Sequence, residues 1–365
     1  MSRISKLRSA LQKAGLDALA LNPSPTLTYL TGLRFHLMER PVVALFTAEG
    51  RVGLVLPELE MPKVADRPEI EPFPYGEDPR AWGNAFRRAA EALRLDGARI
   101  GVEPTRLRVL ELRFLEVAMP RAKFVSAADV LASLREVKDE DELAAMREAV
   151  RIAQEALRAA VRAFHEGMTE RELAAEVVLQ LLRHGSEPEL PFQPIVSAGE
   201  NAANPHAVPT DRPIRRGDLL IVDWGATYRG YFSDLTRTFA VGEVDEELER
   251  IVAVVGEANA AGRFAARPGI PAGEVDKAAR EVIAKAGYGK FFTHRTGHGL
   301  GLDVHEPPFI YSGNDEILRP GMTFTVEPGI YLPGRGGARI EDDVVITESG
   351  SESLSDLPRE IWRFG

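Results

Sequence analysis

Ile4, Leu7 and Leu11 recur at three- and four-residue steps, which predicts an amphipathic helix over residues 3–14. The apolar run over 17–21 follows as a buried strand. Residues 41–46 and 52–56, separated by Ala48-Glu49-Gly50, predict a hairpin. Helical spacing returns over 79–93, where Trp82, Phe86 and Ala90 share a face, and residues 99–102 read as another strand. This alternation predicts an α/β layer domain with a mixed sheet. Phe73, Tyr75 and Trp82 could line a substrate cleft between domains, but such large aromatics are expected in a core or at an interface.

The pattern changes over residues 126–138, which separates a domain 1–130 from a domain 131–365. Asp139 and Glu142 form a capping-box variant. The helix behind it turns Leu143, Met146, Val150, Ala153, Leu157 and Val161 inward. Thr169 and Glu172 open a second helix, running through Leu182. Two more helices are predicted over 245–266 and 271–286. Each helix pair lies beside strand-like runs, which hints at a pseudo-twofold repeat with no residue-level repeat behind it. The apolar tail Leu354–Phe364 is expected to pack on the body of the chain or on a partner subunit.

Composition narrows the function classes. A chain of 365 residues with 44% hydrophobic residues suits two packed domains. A net charge of −10 argues against nucleic acid or an anionic membrane as the main partner. Cysteine is absent, so thiol catalysis and disulfides are excluded and a reducing compartment fits. Neither a signal-peptide core nor an apolar run of about 18 residues is present. The expected location is the cytoplasm.

The candidate chemistry centres on His294-Arg295-Thr296-Gly297-His298-Gly299-Leu300-Gly301-Leu302-Asp303-Val304-His305-Glu306, which holds three of the seven histidines. Glycines beside His298 allow close backbone approach. The stretch lacks the Lys-Ser/Thr of a phosphate loop. Asp223 and Asp234 sit in apolar runs either side of Tyr228-Arg229-Gly230, a hairpin turn. Folding there brings the two aspartates opposite each other to within one residue, roughly 4.5–5.5 Å apart at Cβ. Glu327 and Glu341 repeat the arrangement about Pro333–Gly337, with Gly334 at the midpoint. Buried like charges repel and raise one another's pKa unless cations neutralise them. Four carboxylates match two divalent ions, and one added imidazole suits Mn²⁺, Co²⁺ or Zn²⁺.

Taken with these four acids, the stretch from His294 to Glu306 resembles the proline-specific metallopeptidases of the pita-bread fold. These are Xaa-Pro dipeptidase (prolidase) and Xaa-Pro aminopeptidase (aminopeptidase P). The motifs cover about residues 135–350, and the preceding region looks like that family's N-terminal domain. The resemblance implies an α+β chain, with a pita-bread (creatinase/aminopeptidase-like) catalytic domain after a smaller α/β domain. It implies two divalent metal ions, Mn²⁺ foremost: Asp223 on one, His298 and Glu327 on the other, Asp234 and Glu341 bridging. A bridging hydroxide would attack the carbonyl before proline, and Glu327 would carry its proton to the proline nitrogen. His206, 17 positions before Asp223, would join His294 and His305 in holding substrate and stabilising the oxyanion. Phe192 is the expected wall for the proline ring. Arg339, two residues before Glu341, would fix a bridging carboxylate beside the substrate. A homodimer acting on small proline-containing peptides is implied.

One feature departs from the pattern. Prolidase-type dipeptidases carry an arginine a few residues after the His305 position, where this chain reads Glu306-Pro307-Pro308-Phe309-Ile310. The expectation leans to a dipeptidase, with an aminopeptidase acting on longer peptides as the alternative. A metal-free creatinase-like hydrolase and a non-catalytic binding module are the remaining classes. Neither would need all five ligand positions, and all five are filled here.

Overall fold

Six strands of the N-terminal region form one sheet in a computed structural model that describes residues 2–364. The chain divides into two units, Met1–Arg135 and Glu136–Gly365.

In the first unit the sheet runs Ile70–Tyr75, Val52–Pro57, Val43–Thr47, Ala18–Leu21, Arg99–Val102, Lys123–Ser126. Ala18–Leu21 is antiparallel to Val43–Thr47 and parallel to Arg99–Val102, so the sheet is mixed, as expected. Helix Arg3–Ala14 is capped by Ser2 and stops at Gly15, whose φ of 63° suits glycine. Helix Trp82–Leu93 turns Trp82, Phe86 and Ala90 into the core beside Phe73 and Tyr75. The Tyr75 and Trp82 rings lie 5.3 Å apart, and the Tyr75 hydroxyl donates to Pro41 O at 2.7 Å. These aromatics are core residues. Five α-helices and strands were not foreseen: helices Pro25–Thr31, Val109–Ala118 and Ala128–Arg135 and strands Ile70–Tyr75 and Lys123–Ser126. Pro72 and Pro74 mask the first of those strands, and its edge position explains why prolines are tolerated there.

In the second unit both capping boxes form, at Asp139/Glu142 and Thr169/Glu172, heading helices Glu140–Ala163 and Glu170–Arg183. This pair buries Ala153, Leu157, Val177 and Leu181 against Val222, Trp224 and Phe239. Those residues belong to the sheet Trp362–Phe364, Leu235–Val241, Leu219–Trp224, Ile195–Ala198. Helices Glu246–Ala265 and Ala272–Lys285 form the second pair, packing Ile251, Val255, Ala279 and Ile283 together. Val275 reaches Phe324, Val326 and Val344 of a second sheet. That sheet runs Glu306–Ile310, Gly297–Gly299, Thr323–Val326, Asp342–Ile346, Ser351–Ser353. The first helix pair backs the first sheet, while the second pair packs on the second sheet and also meets Leu219 and Ala240 of the first. The C-terminal tail packs on the body of the chain: Trp362–Phe364 runs parallel to Leu235–Val241, and Phe364 stacks on Phe239 at 5.0 Å.

The two sheets join at an isolated bridge, where Glu341 N–H donates to Thr236 O at 3.1 Å. Next to it a buried cation holds them together. Arg237 donates to Asp342 Oδ1 at 2.7 Å and to the carbonyls of Glu341, Leu357 and Pro358. Removing one partner of a buried pair leaves the other charge uncompensated. Arg237→Met is therefore expected to destabilise the chain by about 3 kcal/mol. Chemical denaturation of the metal-free protein measures this, and an unchanged midpoint would contradict it.

Candidate metal centre and active site

The first hairpin turns at Arg229-Gly230. Both residues have positive φ, 51° and 80°, as a tight two-residue hairpin loop requires. Tyr228 pairs with Tyr231, and the same register gives Asp223 opposite Thr236. Asp234 thus lies two residues from the position facing Asp223, rather than within one as expected. The offset arises because Gly230 takes the second central position, which moves the turn one place later. Side chains alternate with period two, so both aspartates stay on one face.

The second hairpin follows its expected register. Val326 pairs with Asp342 and Gly329 with Arg339, which sets Glu327 opposite Glu341 about a turn at Gly334. The bridge between Glu341 and Thr236 then aligns Asp223, Thr236, Glu341 and Glu327 in a row across both sheets.

His298 comes from the short strand Gly297–Gly299, squeezed between neighbours. A Cβ at Gly297 would lie 1.8 Å from Thr325 O, and one at Gly299 would lie 2.3 Å from Pro307 O. These glycines let the backbone bring the imidazole in. His298 Nδ1 lies 3.1 Å from Gly299 O, which assigns the proton to Nδ1. The Nε2 lone pair then faces Glu327 Oε1 at 3.4 Å and Asp234 Oδ2 at 3.8 Å. Burial holds this imidazole well below its usual pKa, so it is neutral.

Burial also pushes all four acids up. Asp234 and Glu341 lie well above the usual carboxylate range, because each is desolvated and faces other carboxylates. Glu327 is raised to about 7 by burial, against the opposing pull of Arg339. Asp223 is raised less decisively, since Arg339 offsets its desolvation. Among the described residues, buried Asp223 Oδ1 and Asp343 Oδ1 have no hydrogen-bond partner. Ligand atoms of Asp234, His298 and Glu341 lie within 4.8 Å of one another. Clustered anionic oxygens, orphaned acceptors and an inward imidazole lone pair form a donor set that divalent cations complete.

Arg339 does not grip a bridging acid as expected. Its Nη2 donates to Asp223 Oδ2 at 2.6 Å. It reaches Glu341 only through Thr236, whose hydroxyl accepts from Arg339 Nε at 3.2 Å and donates to Glu341 Oε2 at 2.6 Å. Although Arg339 shares an alternating face with Glu341, the Asp223 strand passes closer to its guanidinium.

A cavity of about 670 Å³ opens on these groups, and it brings together every site residue expected from the sequence. Phe192 and Pro191 supply an apolar wall, and His206, His294 and His305 line the rest with Arg295 and Arg339. The His305 ring meets that of His298 edge-on at 4.0 Å. His206 is exposed. His294 has both ring nitrogens engaged: Nδ1 donates to Arg295 O at 2.7 Å, and Nε2 accepts from the Tyr331 hydroxyl at 2.8 Å. That hydroxyl accepts from Arg339 at 3.0 Å. Burial lowers the pKa of His294 to about 4.

Sequence reasoning missed Tyr331, Thr236 and Asp343. Asp343 had a signal, because it lies two residues beyond Glu341 on the same strand face; its Oδ2 accepts from Asp234 N–H at 3.1 Å. Thr236 takes its role from long-range pairing with Glu341, whereas the second hairpin itself places Tyr331 beside Arg339.

Two backing helix pairs and a carboxylate–imidazole cluster between hairpins define a metallohydrolase-type centre on a pita-bread scaffold. Residues 144–348 match metallopeptidase family M24, and residues 3–137 match the creatinase/prolidase N-terminal domain. The chain belongs to family M24. It is 39% identical to a probable dipeptidase PepE of Mycobacterium tuberculosis, covering 98% of this chain and 95% of that one. It is 36% identical to an Xaa-Pro dipeptidase of Pyrococcus horikoshii, covering 98% of each. Among solved structures, a dipeptidase of Pyrococcus horikoshii OT3 superposes with a TM-score of 0.94 at 42% identity, over 99% of this chain and all of the other. An X-Pro aminopeptidase of Thermotoga maritima superposes at 0.87 with 31% identity over the full length of both.

The raised acids predict a pH signature. An unfolded glutamate gives up its proton near 4.5, whereas folded Glu327 keeps it to about 7. Between those values the metal-free native state binds more protons than the unfolded state, so these groups lose stability as pH rises through the window. Metal must displace the same protons. The rise in melting temperature on adding Mn²⁺ is expected to be larger at about pH 7.5 than at about pH 5. Equal shifts would refute this competition.

Proposed function

We propose that this chain is a metal-dependent exopeptidase that hydrolyses the bond before proline, with Xaa-Pro dipeptides as substrates. The carrying observation is the buried cluster of Asp234, His298 and Glu341 facing the cavity. Dipeptidase names on relatives aligned over nearly the whole chain support it. Asp223, Asp234, His298, Glu327 and Glu341 would hold two divalent ions, Mn²⁺ foremost, with Co²⁺ or Zn²⁺ as alternatives. When bound, such ions polarise a carbonyl and lower the pKa of water.

The protein's own groups supply the rest. Glu327 would take a proton and deliver it to the departing proline nitrogen. His305 and His206 would hold the substrate and donate to the developing oxyanion. His294, committed to Tyr331 and Arg295 O, would shape the substrate wall. Arg339 would orient Asp223, and Phe192 would cover the proline ring. An Xaa-Pro bond has no N–H to grip, so a fitted ring pocket replaces that hydrogen bond. A cytoplasmic homodimer completes the reading: a cysteine-free chain suits a reducing compartment, and the dimer is carried over from the family resemblance.

Mass spectrometry of an equal mixture of an Xaa-Pro dipeptide and an Xaa-Pro-Xaa tripeptide, with Mn²⁺, tests the reading. Loss of the dipeptide alone is expected. Loss of the tripeptide would make the chain an aminopeptidase, and loss of neither with Mn²⁺, Co²⁺ or Zn²⁺ would end the peptidase reading. Glu327→Gln is expected to lower kcat at least about 10²-fold. His298→Ala is expected to lose bound metal, measured by elemental analysis; wild-type turnover in either variant would overturn the assignment.

A further inference from the structure

Resting on the dipeptidase reading, we propose that Arg295 takes the free carboxylate of the dipeptide and thereby sets substrate length. In an Xaa-Pro dipeptide the carboxylate carbon is three bonds from the scissile carbonyl carbon, roughly 3–4 Å. The group that binds it must therefore line the same cavity as the hydrolytic residues. A guanidinium suits a planar carboxylate and keeps its charge throughout the working pH range. Two guanidiniums line the cavity, Arg295 and Arg339.

Arg339 is already committed. Its nitrogens donate to Asp223, Tyr331, Thr236 and the carbonyl of Pro205. Arg295 stands otherwise. It is half-buried, and among the described residues its guanidinium has no ion pair or hydrogen bond. Its guanidinium sits over the Phe309 ring, whose centroid lies 4.6 Å from Cζ, and its charge helps hold Glu327 ionised. A guanidinium over an aromatic face keeps its N–H edges available for a bidentate partner.

The backbone fixes this placement. Arg295 O accepts from His294 Nδ1 at 2.7 Å. The next residue, Thr296, donates its N–H to Ile310 O at 2.9 Å, and its hydroxyl to Asp276 Oδ1 at 2.8 Å. Phe309 is the register partner of His298. The aromatic seat under Arg295 is therefore paired directly with a residue of the candidate metal centre. A longer peptide or an amide would leave this half-buried cation facing a neutral group, losing a charge-assisted pair.

The test uses the metal-loaded full chain, an Xaa-Pro dipeptide and its C-terminal amide. Wild type is expected to prefer the acid in kcat/KM by about 10- to 100-fold. Arg295→Met should collapse that preference, with the loss carried by a higher KM for the acid. Arg295→Lys, which keeps a charge without the planar fork, should retain part of it. Equal cleavage of acid and amide by wild type, or equal losses on both in Arg295→Met, would overturn the proposal while dipeptide turnover persists. Turnover of neither substrate by wild type would overturn the dipeptidase reading and this proposal with it.

Discussion

Repulsion among buried carboxylates is the constraint under which the rest of the C-terminal unit is arranged. Asp223, Asp234, Glu327, Glu341 and Asp343 crowd where two sheets meet, and all but the partly exposed Glu327 are buried. Such a cluster would drive its strands apart unless something else fixed their register. The strand around Glu341 shows how that is done. Glu341 and Asp343 face the site, while Asp342 between them points the other way. There Arg237 and Arg359 meet it at 2.7 Å each. Burial alone would raise the Asp342 carboxyl, but these two cations hold it well below the usual range. One strand thus carries acids on both faces, neutralised by guanidiniums on one and left for metal on the other.

The imidazole is prepared in a corresponding way. His298 is held by backbone packing too tight for any residue but glycine on either side. Its Nδ1 is occupied by Gly299 O, so only Nε2 is offered to the acids. A neutral imidazole facing two carboxylate oxygens is a poor arrangement without a proton or cation between them, and a good ligand with one.

Much of this was legible in the sequence because it depends on local period and turn chemistry. The capping boxes gave correct helix starts, and alternation about Gly334 paired Glu327 with Glu341. The Asp223–Asp234 register slipped because a turn's centre depends on which residues adopt positive φ, and Arg229 gives no sign of doing so. Thr236 and the partner of Arg339 were hidden for another reason. They depend on a crossing between sheets more than 100 residues apart in the chain, which no local pattern encodes. The strand Ile70–Tyr75 escaped because its prolines contradict a propensity that edge pairing overrides.

The two arginines of the cavity illustrate why residue type alone does not assign a role. Both are buried or half-buried, both line the same cavity, and both carry a permanent charge. Arg339 is saturated, so its charge is spent within the fold, on Asp223 and on the hydroxyl chain through Tyr331 to His294. Removing it would strand those partners as well as empty the pocket wall. Arg295 rests on an aromatic ring with its donor edges unclaimed, and it acts on Glu327, His298 and His305 through its charge. A group that must be released to each new substrate cannot also be a structural strut. The physical distinction is the number of internal partners each guanidinium already satisfies.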